Sequence, residues 1–148
     1  MFKIVFMKKG LMQFFIVPAI LLGIGSCSDK GGGGGGGGGT TEANLAVTLN
    51  PPAGSTQPAA PQVDFPLTVS VTSTMPPQGV TIDVVVKKDD GSGATVFTAN
   101  NPGTTSPSTN FSITGTPIGV ICLTTVTVTS KTKATNTVTL SYRYSRKS

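Results

Sequence analysis

Val80-Thr81-Ile82-Asp83-Val84-Val85-Val86-Lys87 alternates apolar and polar side chains almost without a break. Successive side chains of an extended chain point to opposite sides, so Val80, Ile82, Val84 and Val86 share one face, opposite Thr81, Asp83 and Lys87. A helix would scatter them around its circumference, and no stretch from Thr40 onward keeps a helical period. β-Branched residues dominate, and they suit a pleated surface better than a helix. Met75-Pro76-Pro77-Gln78-Gly79 breaks the chain before this segment. Asp89-Asp90-Gly91-Ser92-Gly93 after it reads as a hairpin loop.

The same alternation recurs on both sides. Leu45, Val47 and Leu49 share a face as far as the break at Pro51-Pro52-Ala53-Gly54. Phe65, Leu67, Val69 and Val71 alternate with Thr68, Ser70 and Thr72. Ala94 to Ala99 reads as a weaker strand that stops at Asn100-Asn101-Pro102-Gly103. Phe111 and Ile113 mark a short strand, and Val120, Cys122, Val126 and Val128 share a face of a long one. Val138, Leu140, Tyr142 and Tyr144 mark the last strand, with both tyrosines in phase with the core. Ile121 and Leu123 are out of phase. They imply a bulge or a loop-covered rim, or else an exposed apolar patch for a partner.

Alternating strands leave each sheet one dry face, and two such sheets pack dry face to dry face. The expectation is all-β: an immunoglobulin-like two-sheet antiparallel β-sandwich of about seven strands over residues 44–148, large enough to bury one core without staples. The pattern resembles immunoglobulin and fibronectin-type modules, with departures. Cys122 has no second cysteine within the domain, the chain has no Trp, and Val120 stands where the corner Tyr of antibody-like domains would be.

The other end of the chain is of a different kind. Lys8 and Lys9 precede Leu11 to Ile24, an almost wholly apolar run interrupted by Gln13 and Pro18. The run falls short of the roughly 20 residues of a membrane-spanning helix and suits the hydrophobic region of a secretion signal. Met7-Lys8-Lys9 is an alternative start. The run ends in Ile24-Gly25-Ser26-Cys27, which resembles the lipobox of bacterial lipoproteins. The resemblance implies that residues 1–26 are a signal peptide cleaved after Ser26. It also implies that the Cys27 sulfur carries a diacylglycerol and that the new amine takes a fatty acyl chain such as palmitate. Small residues fit a protease cleft, and only a thiol supplies the nucleophile for a thioether. The alternative is an ordinary signal with Cys27 free or paired to Cys122. Two or three acyl chains, at about 0.8 kcal/mol per buried CH₂, anchor stably where one does not.

Residues 27–43 form the tether: Cys27, Ser28-Asp29-Lys30, then unbroken glycine from Gly31 to Gly39. Glycine loses the most backbone entropy on ordering and offers nothing to pack, so the tract is expected to be disordered, with a root-mean-square span of roughly 20–25 Å. No Gly-Lys-Ser/Thr follows and no strand precedes, which excludes a phosphate-binding loop. A lipobox followed by Ser, Asp, Lys and glycines resembles the surface lipoproteins of Bacteroidetes. That implies an outer-membrane lipid anchor, with the domain on the periplasmic face or the cell surface.

Composition narrows the chemistry. There are 11 basic and 6 acidic side chains, but Lys3, Lys8 and Lys9 belong to the leader. The mature chain is then only slightly basic, which does not indicate nucleic-acid binding. The absence of His removes the commonest general base and neutral metal ligand, and the absence of Trp the best stacking platform. No Ser-x-x-Lys pattern accompanies the abundant hydroxyls. Asp89 and Asp90 are too few oxygens for a calcium site and read as a solvated turn. Asp64 and Asp83 are a conceivable glycosidase pair that nothing in the spacing supports. Cys122 reads as a small core residue. The sequence therefore predicts no catalytic residues, no metal and no cofactor. Lys131, Lys133, Arg143, Arg146 and Lys147 form a late basic group, read as solubility and edge protection or as contacts to an anionic surface such as lipopolysaccharide or glycan. The functional expectation is a non-enzymatic, membrane-tethered module contacting an envelope protein or a glycan. Its alternative is a structural or pilus-like assembly subunit that exchanges strands through an exposed edge at Asn44–Asn50 or Thr135–Tyr144.

Overall fold

Seven strands follow one another without a helix among the described residues: β1 (Val47–Asn50), β2 (Phe65–Val71), β3 (Val80–Lys88), β4 (Thr95–Thr104), β5 (Ser108–Ile113), β6 (Ile121–Ser130) and β7 (Thr137–Ser145). They come from a computed structural model that describes residues 41–148. The leader, Cys27 and the tether as far as Thr40 lie outside the described residues.

The strands build a three-stranded sheet, β1-β2-β5, and a four-stranded sheet, β4-β3-β6-β7, with every pairing antiparallel. This is the two-sheet sandwich that the alternation predicts. The inward faces make one core: Leu67, Val69, Ile113 and Phe65 from one sheet, Val80, Ile82, Val84, Val86, Cys122, Val126 and Val128 from the other. β4 pairs with β3, whereas in constant-type antibody domains the fourth strand joins the sheet of the first, second and fifth.

Three sequence expectations change. Asn100-Asn101-Pro102-Gly103 is not a terminating turn, because β4 runs through it to Thr104. β4 is an edge strand, where Pro is tolerated, and the mismatch is absorbed by a register shift between the pairs Val80–Thr104 and Ile82–Asn101. Val120 lies outside β6, and Thr124 joins Cys122, Val126 and Val128 on its buried face. Ser130-Lys131 reads in the sequence as a polar strand end, yet Ser130 is buried at the end of that same face.

The 14-residue link between β1 and β2 does not read as structure in the sequence, yet it is ordered. After Asn50 the chain leaves the three-stranded sheet and crosses to the open edge of β7. There Gly54, Gln57 and Ala60 donate backbone N–H groups to the carbonyls of Ser141, Arg143 and Ser145 at 2.7, 2.8 and 3.1 Å. Arg143 and Lys147 donate back to Ser55 and Ala60 at 2.9 and 3.0 Å. This strap is a parallel pseudo-strand, bridged at Thr56–Arg143 and Ala60–Arg146. It covers the β7 edge from Ser141 onward, so the exposed edge expected at Thr135–Tyr144 is closed over Ser141–Tyr144 and open before it.

Strand direction sorts the connections into two ends. The entering chain at 41–46 and the β2–β3, β4–β5 and β6–β7 loops share one end. There Lys131 N–H bonds the Gly79 carbonyl (3.0 Å) and Val71 N–H the Pro107 carbonyl (2.8 Å). Gly79 is required at this end. It closes the Pro76-Pro77-Gln78-Gly79 turn with φ of +75°, and a Cβ would collide with the Thr104 carbonyl. The strap, the β3–β4 and β5–β6 loops and the C-terminus share the far end, where Ile118 bridges Arg146 and Asp89 N–H bonds the Ile121 carbonyl at 2.9 Å.

Candidate functional site

Two regions of the sandwich have features beyond packing: the point where the tether enters, and the far end.

The entry point is a polar clasp. The Asn136 side chain sits in the β6–β7 turn and is only 8% exposed. Its Oδ1 accepts the Leu45 N–H at 2.9 Å, and its Nδ2 donates to the Ala43 carbonyl at 2.9 Å and to Glu42 Oε1 at 2.5 Å. The amide thus behaves like a peptide group of a neighbouring strand. Ser130 Oγ donates to the second Glu42 oxygen at 3.0 Å and accepts the N–H groups of Thr132 and Lys133, both at 3.1 Å. Both carboxylate oxygens of Glu42 are therefore engaged. Beside the clasp, Thr41, Ala43, Met75, Pro76 and Thr132 line a cavity of about 370 Å³. The sequence offers no signal for the clasp, because its partners are 88 to 94 residues apart.

At the far end lie Val63, Ile118 and Ile121, the three large apolar residues most exposed among the described ones, at 56%, 56% and 49%. The out-of-phase pair separates here. The β3–β6 and β6–β7 registers run unbroken past Ile121 and Leu123, so no bulge exists. Ile121 is exposed, whereas Leu123 is half-buried between Lys87 and Arg143, its direct neighbours across the sheet. A second cavity of about 370 Å³ opens under the strap, where β1 has ended and β2 is paired only on its β5 side. Pro58, Ala60 and Pro61 form its wall, with Phe65, Tyr142 and Tyr144 beneath. No charged residue lines it.

The tyrosines are buried, as their phase requires. The Tyr144 ring packs 4.5 Å from Phe65 and 6.0 Å from Tyr142 between centroids, and its hydroxyl bonds Thr116 Oγ1 at 2.8 Å. Burial pushes the Tyr144 phenol up to about 12, with Thr116 acting weakly the other way. Burial also raises the Tyr142 phenol, partly offset by the nearby Thr124 hydroxyl, although that contact falls short of hydrogen-bond geometry and leaves both oxygens unpartnered. Cys122 is fully buried and free, and burial raises its thiol.

The carboxylates are dispersed. Asp89 pairs with Arg143 (Oδ2–Nε 2.7 Å) at the surface. Asp90 accepts both the N–H and the hydroxyl of Ser92, which lowers its pKa and makes the pair a capped turn. Asp83 accepts the Asn100 amide at 2.6 Å on the outer face of the four-stranded sheet, while Asp64 precedes β2 in the other sheet. No group of three metal-ligating side chains occurs among the described residues. The late basic residues divide: Lys131 and Lys133 lie in the β6–β7 turn at the entry end, and Arg143, Arg146 and Lys147 lie at or beyond the other end of β7. Because β7 is nine residues long, the groups stand roughly 30 Å apart.

No protein-family model matches this chain, and no curated protein or solved structure is significantly similar to it.

Proposed function

We propose that this protein is a non-enzymatic, lipid-anchored lipoprotein of the outer membrane that displays its sandwich as an interaction module for another envelope protein or a glycan. The observation that carries the reading is the sequence Ile24-Gly25-Ser26-Cys27 at the end of an apolar leader, a composition suited to thioether acylation. The arrangement of the domain supports it. Residues 41–46 enter the sandwich at one end, and the exposed Val63, Ile118 and Ile121 lie at the other. The strap weighs against one form of the alternative, a strand-exchanging assembly subunit, because it occupies the β7 edge from Ser141 onward, while the β1 edge stays open.

Replacing Cys27→Ala tests the anchor: the domain is expected to leave the membrane fraction, and unchanged retention overturns the reading. Crosslinking in intact cells, with Ile118 and Ile121 replaced by a photoreactive residue, tests the display. Adducts are expected from these positions and not from Thr139 on the outer sheet face.

A further inference from the structure

We infer that the entry end of the sandwich is a docking surface for phosphate-bearing lipid headgroups, contacted by Lys131 and Lys133 beside the Glu42–Asn136 clasp. The inference rests on the lipoprotein reading and adds to it how the domain stands on its membrane.

The clasp fixes where the anchored chain leaves the domain. Asn136 holds Glu42, Ala43 and Leu45, so 14 residues, Ser28 to Thr41, separate Cys27 from this clasp. The reach that the sequence sets for those residues averages roughly 20 Å. The far end stands a further strand length away, roughly 30 Å. A leash this short, leaving from the entry end, brings that end to the headgroups first.

Charge at the entry end complements such a surface. Lys131 and Lys133 are exposed, and Glu42, whose oxygens are held by the uncharged side chains of Ser130 and Asn136, leaves this turn with one net positive charge. Lys131 extends sideways over Gly103 of β4, where a Cβ would come within 2.8 Å of its Nζ. The far end carries Lys87, Lys88, Arg143, Arg146 and Lys147 with Asp64, Asp89 and Asp90 interspersed and Arg143 paired with Asp89, and these residues stand roughly a strand length from the entry point. Thr132, Ala134 and Thr135 complete the exposed turn and present no carboxylate. Lysines near an anionic bilayer within a Debye length contribute additively and lose effect with salt.

The test uses the acylated full-length product reconstituted into vesicles of phosphatidylcholine with phosphatidylglycerol, or of phosphatidylcholine alone. Intact mass first establishes the acyl chains; their absence overturns the lipoprotein reading and this inference with it. A fluorophore is then placed at Ala134→Cys or at Ser148→Cys and quenched by headgroup-labelled lipid. Strong quenching is expected at position 134 on anionic vesicles and weak quenching at 148. Lys131→Gln with Lys133→Gln should lower the docked-to-undocked ratio roughly 25-fold, at about five-fold per lysine, and Lys147→Gln should not. Equal quenching at both positions, or indifference to phosphatidylglycerol or to the lysine pair, in an acylated protein overturns the docking inference alone.

Discussion

Replacing Asn136→Ala should be among the most destabilising single changes available on the surface-facing half of this domain. The side chain makes three hydrogen bonds, to the Leu45 N–H, the Ala43 carbonyl and the Glu42 carboxylate. Neutral bonds of this kind contribute about 1 kcal/mol each, and one to a charged group about 1.5–3. Water can reach part of the vacated space and recover some of this, so the expected loss is about 2–4 kcal/mol. Urea unfolding of the protein measures it directly, and hydrogen exchange at the Leu45 amide should accelerate beyond the change in global stability. Asn136→Asp separates hydrogen bonding from packing. It keeps the shape and the acceptor for Leu45 but sets a second carboxylate against Glu42 and the Ala43 carbonyl. It should therefore be at least as damaging as alanine at neutral pH and recover as the pH falls and the carboxyl takes a proton. A loss below about 1 kcal/mol for alanine, or a pH-independent defect for aspartate, would refute the view that this amide stands in for a strand.

Further outcomes follow from the same physical reasoning. Tyr144 has its phenol raised from 10.0 to about 12, so the folded state holds a proton that the unfolded state releases between those values. Its contribution is complete below pH 10 and is lost as pH rises toward 12, roughly 2–3 kcal/mol in all. Thermal melts of the Tyr144→Phe variant should show a shallower alkaline decline. Cys122→Ser buries a hydroxyl where sulfur packs and should cost about 1–3 kcal/mol in urea unfolding, with membrane fractionation unchanged. Gly79→Ala combines a positive φ with collision against the Thr104 carbonyl, and should cost about 2–4 kcal/mol by the same assay.

What was legible in the sequence is what repeats with a period of two. The Val80–Val86 alternation places four side chains in the core, and Tyr142 and Tyr144 are buried for the same reason. Features set by long-range contact were not legible. The strap contains Pro51 and Pro52, which read as a break, and Pro58 and Pro61, which carry no strand signal. Proline removes donors but also favours extended backbone, and Gly54, Gln57 and Ala60 supply the donors that reach β7. Asn100-Asn101-Pro102-Gly103 carries turn chemistry within an edge strand, where a missing donor can face away from the sheet. Asn136 and Glu42 look like ordinary turn and linker residues until the fold brings them together.

The separation of the basic residues follows from connectivity. Lys131 and Lys133 sit in the turn that closes β6 and β7, while Arg146 and Lys147 follow β7, and a hairpin puts its turn and its open ends at opposite poles. With seven strands, each reversing the one before it, the chain must also enter at one pole and leave at the other. The proposed N-terminal anchor would then give different tasks to residues that composition alone cannot tell apart. Lysines beside the entry turn would face the membrane, while Ile118 and Ile121 at the opposite pole would face away from it. An even number of strands would have returned the last one to the entry pole, and the odd count is what ends β7 at the opposite pole.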